Sequence, residues 1–244
     1  MSFTPVHTPS KQLGLELMRI IVDAGTYAPR SKQKAIGPSE AGTDCTRKLA
    51  YKLLDWEISN PGSGGNWAAA VGTAIHAHLA NMFEKLEGYE VEQRVKIRSN
   101  LSGTVDLFHI PSGTVIDWKT TNNVESKRRN PSNQNQIQVQ LYGYGKAQSG
   151  AEVRNVALVY LPVTGDLDQL HVELYPYDEQ IALDALKRID NIYELLSTVD
   201  VENNPVMWSH IPAVTSRMCN YCPFFKPYSS DLAKGCNGDT KVAA

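Results

Sequence analysis

Two short apolar runs end in acids with only a turn between them. The first is Gly103-Thr104-Val105-Asp106, and the second, beyond Pro111-Ser112-Gly113, is Val115-Ile116-Asp117-Trp118-Lys119-Thr120. β-Branched and apolar residues interrupted by a Pro/Gly turn predict a β-hairpin. Side chains alternate along a strand, so Asp117 and Lys119 share a face while Trp118 points away and packs. The pattern therefore brings two carboxylates and an ammonium to neighbouring strand ends, with the Trp118 carbonyl free to join them. Such a set suits a divalent cation with a fixed positive charge beside it.

The rest of the chain alternates helical and extended signals. Apolar spacing predicts helices over 12–24, 43–56, 69–86, 136–149 and 178–198, and strands over 89–99, 101–110, 114–120, 153–162 and 170–176. Residues 25–37 and 60–66 read as loops, and the polar stretch 122–135 as mobile. Helices, three strands, a helix, two strands and a helix describe an α/β (α+β) fold, a mixed sheet flanked by helices.

Hydrophobic content of 42% and charged content of 20% fit a soluble globule, with no apolar signal core and no bilayer-length run. A cytoplasmic protein without a membrane partner is expected, whose four cysteines stay reduced. The net charge of −2 excludes a globally basic nucleic-acid binder, so contacts to a polyanion must come from local patches. Residues 1–52 carry eight Lys/Arg against four Asp/Glu, which makes the amino-terminal part the better candidate for such a face.

Further residues extend the acidic pair. His76 follows Gly72 on the predicted third helix, and the glycine allows close approach to the strands, so that His76 reaches a metal held by carboxylates. His78 faces another direction. Gln138 and Tyr142 lie four apart on one helical face, with Gln140 and Tyr144 on a rotated one, and the spacing does not choose between the pairs. The ordered set Gly72-x3-His76, Gly103-x2-Asp106, Asp117-x-Lys119 and Gln138-x3-Tyr142 resembles the signature of RecB-type nucleases in the PD-(D/E)xK superfamily. That family more often has Glu where this chain has Asp117. The resemblance implies a restriction-endonuclease-like core in which His76, Asp106 and Asp117, with the Trp118 carbonyl, hold Mg²⁺ or Mn²⁺. Lys119 then acts in the chemistry, and Gln138 and Tyr142 support site and substrate.

Cys219-Asn220-Tyr221-Cys222-Pro223 is a ligand knuckle that fits zinc or iron–sulfur, with Cys236 and the distant Cys45 as further thiols. The segment Ser39-Glu40-Ala41-Gly42-Thr43-Asp44-Cys45-Thr46-Arg47-Lys48 is similar to that of iron–sulfur RecB-like nucleases. These include the AddB nuclease domain and the CRISPR-associated and phage four-cysteine exonucleases. The resemblance implies a 4Fe–4S cluster on Cys45, Cys219, Cys222 and Cys236 that staples the two chain ends. The C-x13-C gap before Cys236 is longer than is usual there.

An organisation follows: a helical, basic arm (1–38), a nuclease core (39–200) and a cluster-binding tail (201–244). Arg47, Lys48, Lys127, Arg128 and Arg129 are expected to contact phosphates. Arg94, Lys96 and Arg98 share a strand face, and Tyr142, Tyr144, Phe224 and Phe225 are candidates to stack on bases. The resemblance favours an exonuclease on single-stranded DNA or duplex ends, in phage recombination, repair or CRISPR adaptation beside proteins of those systems. An endonuclease or a non-catalytic DNA-binding subunit stays open.

Overall fold

The computed structural model describes residues 7–26, 36–60 and 67–238. Its helices are α1 (His7–Thr26), α2 (Pro38–Ala41), α3 (Thr46–Leu53), α4 (Trp67–Phe83), α5 (Val124–Arg129), α6 (Asn133–Gln148) and α7 (Glu179–Val199). The strands are β1 (Tyr89–Arg98), β2 (Leu101–His109), β3 (Thr114–Thr121), β4 (Asn155–Pro162) and β5 (His171–Pro176). They form one five-stranded sheet in sequence order. Every pairing is antiparallel except β3 with β4, which is parallel and needs a crossover, supplied by α5 and α6. The mixed sheet with flanking helices is the expected class. The expected loop 60–66 lies outside the described residues except for Asn60, and 25–37 does so over 27–35.

Alternation along β4 shows how the sheet is covered. Val156, Leu158 and Tyr160 pack with Val139 and Tyr142 of α6, whereas Val159 and Leu161 pack with Trp118 and Leu107 under Ile75, Leu79 and Phe83 of α4. A third core joins α3, α7 and the segment after α7. Ala182, Ala185, Leu186, Ile189, Ile192 and Leu196 form its buried stripe on α7, at the three- and four-residue spacing of a helix face.

The segment after α7 has no long element, yet it is pinned to α3 through hydrogen bonds. Arg47 N donates to the Pro212 carbonyl at 2.8 Å, Tyr51 Oη to that of Leu232 at 2.5 Å, and Trp56 Nε1 to that of Ala233 at 2.7 Å. Tyr51 stacks on Trp208 with centroids 4.1 Å apart and meets Phe224 at 5.0 Å. Phe224 is therefore core, not a base-stacking residue. Among the described residues no helix is long and apolar enough to cross a membrane.

The stretch 122–135, expected to be mobile, instead holds α5 and the start of α6. Asn123 Oδ1 caps α5 by accepting from Ser126 N, and Ser132 Oγ caps α6 by accepting from Asn135 N. Glu125 pairs with Arg128 and Arg129 at helical spacing.

Gly103 faces the ring of Tyr142, and a Cβ there would lie 2.4 Å from Cε1 of that ring and 2.9 Å from Cγ of Pro38. Both neighbours are rigid. Gly103→Ala is expected to destabilise the fold by about 1–3 kcal/mol, as overpacking of a close contact does. A denaturant midpoint equal to wild type would contradict this packing.

Candidate active site

The site forms where the sheet divides. Strands β2 and β3 are paired from His109–Thr114 to Leu107–Ile116 and no further. Beyond that point Asp106 Oδ2 accepts the backbone N–H of Trp118 at 2.8 Å, so a carboxylate replaces a ladder carbonyl. The Trp118 ring, 9% exposed, is held in the α4-side core.

The alternation of β1 and β2 slips at the same place. Val105 and Phe108 both belong to the α6-side core although Leu107 lies in the opposite one. In β1, Val95 packs on the α6 side while Val91 packs on the α4 side. The register nevertheless runs through unchanged, from Val91–Leu107 to Gln93–Val105. Glu92 therefore stands opposite Asp106, with a left-handed φ of 49°. Both strands change face together, and the two acids emerge at the change.

Helix α4 adds His76. Its apolar stripe, Ile75, Leu79 and Phe83, lies on the sheet, so the neighbouring His76 sits at the stripe's edge while His78 is exposed. A Cβ on Gly72 would approach Thr120 Oγ1 to 3.2 Å, which shows how closely the helix crosses β3. His76 Nδ1 lies 3.4 Å from Asp106 Oδ1, and this hydrogen-bonded neighbour raises the imidazole pKa against the opposing effect of burial. Ligand atoms of His76, Glu92 and Asp106 all lie within 4.8 Å of one another.

Asp117 sits deeper and is differently engaged. Its Oδ2 is 2.6 Å from Lys119 Nζ, an ion pair without hydrogen-bond alignment, and its Oδ1 accepts from Gln138 Nε2 at 3.3 Å. Lys119 Nζ donates to Gln138 Oε1 at 2.9 Å, and Gln138 Nε2 also reaches Tyr142 Oη at 3.0 Å. Gln140 is used elsewhere, bridging the Pro176 carbonyl and the Asp178 amide, so the Gln138/Tyr142 pair is the one brought to the carboxylates. Burial pushes the Asp117 pKa up to about 6, against the pull of Lys119 and with added repulsion from Asp106.

Glu92, which the sequence reading did not single out, joins His76 and Asp106 in one tight group, and the oxygens of Asp117 face Lys119 and Gln138. Nothing in Tyr89-Glu90-Val91-Glu92 marks the fourth residue, because its position depends on the paired slip. Trp118 contributes its amide to Asp106.

The four thiols, far apart in the chain, line one small pocket with Lys48, Tyr51, Val214 and Phe225. Cys236 Sγ accepts from Arg47 Nη1 at 3.7 Å, and Arg47 Nε donates to the Ile211 carbonyl at 2.9 Å. Arg47 is 0% exposed, which corrects its assignment to a DNA-facing patch: the tail covers it. Burial pushes the Cys222 thiol pKa up, so its thiolate is disfavoured unless a cation shares the pocket. Thiols are soft donors, of the kind that suits zinc or iron–sulfur, and all four line this one pocket. Of the expected basic contacts, Arg128 and Arg129 are exposed and paired with Glu125, and Lys127 is half-buried beside them. Arg98 is tied to Asp190 at 2.7 Å.

The family profile of the PD-(D/E)XK nuclease superfamily matches residues 65–226, which is 162 of the 244. That span holds every residue named at the strand divergence but neither Cys45 nor Cys236. Among solved structures, the alkaline exonuclease LHK-Exo in complex with dAMP is similar at 14% identity, over 71% of this chain and 92% of that one, with a TM-score of 0.50. The alkaline exonuclease of Laribacter hongkongensis is 11% identical over 71% and 93%, with a TM-score of 0.49. A phage-related exonuclease from Haemophilus somnus 129PT is 13% identical over 63% and 81%, with a TM-score of 0.45. Such low identities speak to the fold alone. No curated protein matches the chain.

Because the folded-state pKa of Asp117 lies above its ordinary 3.8, metal-free protein is expected to lose stability as pH rises through about 6 and the buried carboxyl ionises. Asp117→Asn removes that cost. In EDTA, its melting temperature should exceed wild type above pH 6, and the difference should vanish below pH 3.8. A variant less stable than wild type at neutral pH would refute this origin of the shift.

Proposed function

The chain belongs to the PD-(D/E)XK nuclease superfamily, and from that premise we propose that it is a metal-dependent deoxyribonuclease, acting as an exonuclease on single-stranded or end-exposed DNA. The observation that carries the reading is the placement of Lys119 against Asp117 and Gln138, beside His76, Asp106 and Glu92, at one divergence of the sheet. His76, Asp106 and Asp117, with the Trp118 carbonyl, would hold Mg²⁺ or Mn²⁺, a hard-cation donor set completed by one imidazole. When bound, the cation supplies Lewis-acid polarisation of the phosphate and an acidified water.

The chain's own residues do the rest. Lys119 presents its ammonium where charge develops on the phosphate, and Gln138 fixes that ammonium through its side-chain carbonyl. Tyr142 anchors the other end of the same amide, so the lysine is oriented before substrate arrives. Burial of Asp117 lowers the local dielectric and strengthens these contacts. Lys48, Lys127, Arg128 and Arg129 would follow the DNA backbone. The exonuclease preference follows from the resemblance, as does a role in phage recombination, repair or CRISPR adaptation with partner proteins, in the cytoplasm.

The four-cysteine pocket would hold a 4Fe–4S cluster on Cys45, Cys219, Cys222 and Cys236. In this reading, the cluster binds residues 201–244 to the core of 39–200. Zinc is the alternative occupant. Cys222→Ala should abolish the brown absorbance of anaerobically purified protein and lower its yield. A colourless wild type containing zinc would replace the cluster in this account.

End-labelled linear DNA and closed-circular DNA, each single- and double-stranded, test the activity with Mg²⁺, Mn²⁺ or EDTA. Wild type should shorten linear substrates from an end with either metal and leave circles intact. Lys119→Ala should abolish cleavage while preserving the fold, as circular dichroism would show. Cleaved circles would make the enzyme an endonuclease, and full activity in the lysine variant would defeat the assignment.

A further inference from the structure

We propose that His171 is a substrate-positioning residue, whose imidazole binds a backbone phosphate of the DNA strand beside the phosphate that faces Lys119. The inference rests on the nuclease reading for the identity of that polyanion.

Strand register sets the position. Lys119 of β3 stands opposite Tyr160 of β4, and Tyr160 stands opposite His171 of β5. Directly paired residues project to one face of a sheet. Tyr160 lies on the face covered by α6, where Gln138 meets Lys119, so the three side chains form one row on that face. Neighbouring strands are about 4.8 Å apart, which places His171 roughly 10 Å from Lys119 along the row. Strands β3 and β4 run parallel and end just beyond it, and β5 begins with it. Helix α5, with Lys127, Arg128 and Arg129, follows β3 at the same end of the sheet. A DNA strand with one phosphate at Lys119 that continues across this end of the sheet meets His171.

The next row shows how the imidazole is held. It consists of Asp117, Leu158 and Glu173. Glu173 is only 8% exposed, and a buried carboxylate is costly unless its oxygens are paired. Its Oε2 accepts from Tyr175 Oη at 2.8 Å, whereas Oε1 has no hydrogen-bond partner. His171 Nε2 stands before that oxygen at 3.9 Å, beyond hydrogen-bond length. The ring also lies 16° from parallel to that of Tyr160, with centroids 6.2 Å apart. The imidazole is thus fixed between an acid and an aromatic ring while its edge stays partly open to solvent. An imidazolium carries two N–H donors, one for the acid behind it and one for an acceptor in front. A phosphate oxygen is such an acceptor, and the bond to it is charge-assisted. An acid facing inward from an edge strand also guards that edge against pairing, but this role involves no histidine.

Fluorescence anisotropy of a labelled single-stranded oligonucleotide, in EDTA so that the strand stays whole, tests the assignment on the full-length protein. His171→Gln should weaken binding roughly tenfold or more, the worth of a hydrogen bond to a charged group. His171→Lys restores a cation and should recover most of the affinity. Lys187→Gln, which removes an exposed cation of α7, should bind as wild type does. With Mg²⁺, His171→Gln should raise KM and leave kcat near wild type, since the contact is made in ground and transition states alike. Melting curves in EDTA show whether each variant folds, and His171→Asn replaces a glutamine variant that does not. Wild-type affinity in His171→Gln overturns the proposal, as does an equal loss in Lys187→Gln or no recovery in His171→Lys. The two readings separate: protein that binds DNA through His171 but leaves it intact with either metal supports this inference and defeats the nuclease. Active protein whose His171→Gln variant binds DNA normally does the reverse.

Discussion

Where β2 and β3 part, the amide of Trp118 loses its place in the ladder, and the carboxylate of Asp106 takes it up at 2.8 Å. A buried N–H left without an acceptor costs about 1–3 kcal/mol, so the divergence is sustainable only because an acid stands there. The bond also orients that acid, turning Oδ1 toward His76. On the other side of the same residue the Trp118 ring locks into the core beneath α4, the helix that carries His76. One side chain thus joins the two arms of the sheet, and one backbone residue joins the sheet to the helix.

A second closure operates between the chain's two ends. Arg47 is fully buried, and an uncompensated guanidinium in a protein interior is strongly unfavourable. The compensation comes from far along the sequence, from the carbonyl of Ile211 and the sulfur of Cys236. Tyr51 and Trp56 repeat the arrangement, each with an apolar ring in the third core and a polar tip on a tail carbonyl. The tail is therefore part of the core's wall, and separating it from α3 would expose the Tyr51 and Trp56 rings along with the charge.

Local signals carried most of the fold. The strands expected over 89–99, 101–110 and 114–120 appear as Tyr89–Arg98, Leu101–His109 and Thr114–Thr121, because alternation and the Pro111-Ser112-Gly113 turn are nearest-neighbour properties. The bonds among Lys119, Asp117, Gln138 and Tyr142 join residues that the family resemblance had grouped, where spacing alone left Gln138/Tyr142 and Gln140/Tyr144 open. Helix α5 was missed because polar residues conceal a helix whose stability lies in the Asn123 cap and the Glu125 pairs. Arg47 looked like a surface cation because its cover lies some 160 residues away in sequence. Glu92 was invisible for a related reason: a slip shared by two strands leaves no trace in either one's composition.

The two carboxylates of the cleft meet different electrostatic fates, and the difference follows from depth. Asp106 spends one oxygen on a backbone dipole and shares the other with an imidazole, so its charge is offset on both sides. Asp117 is fully enclosed, and even an ammonium at 2.6 Å does not repay the lost hydration, which is why its pKa rises to about 6. With Glu92 nearby, the cleft gathers three acids in one place, and carboxylates brought so close repel one another. A cation that binds only the folded chain offsets such a penalty by mass action. On this reasoning the charges that weaken the core are those that a bound dication would offset, and the Asp106–Trp118 bond ties together the strands that carry them.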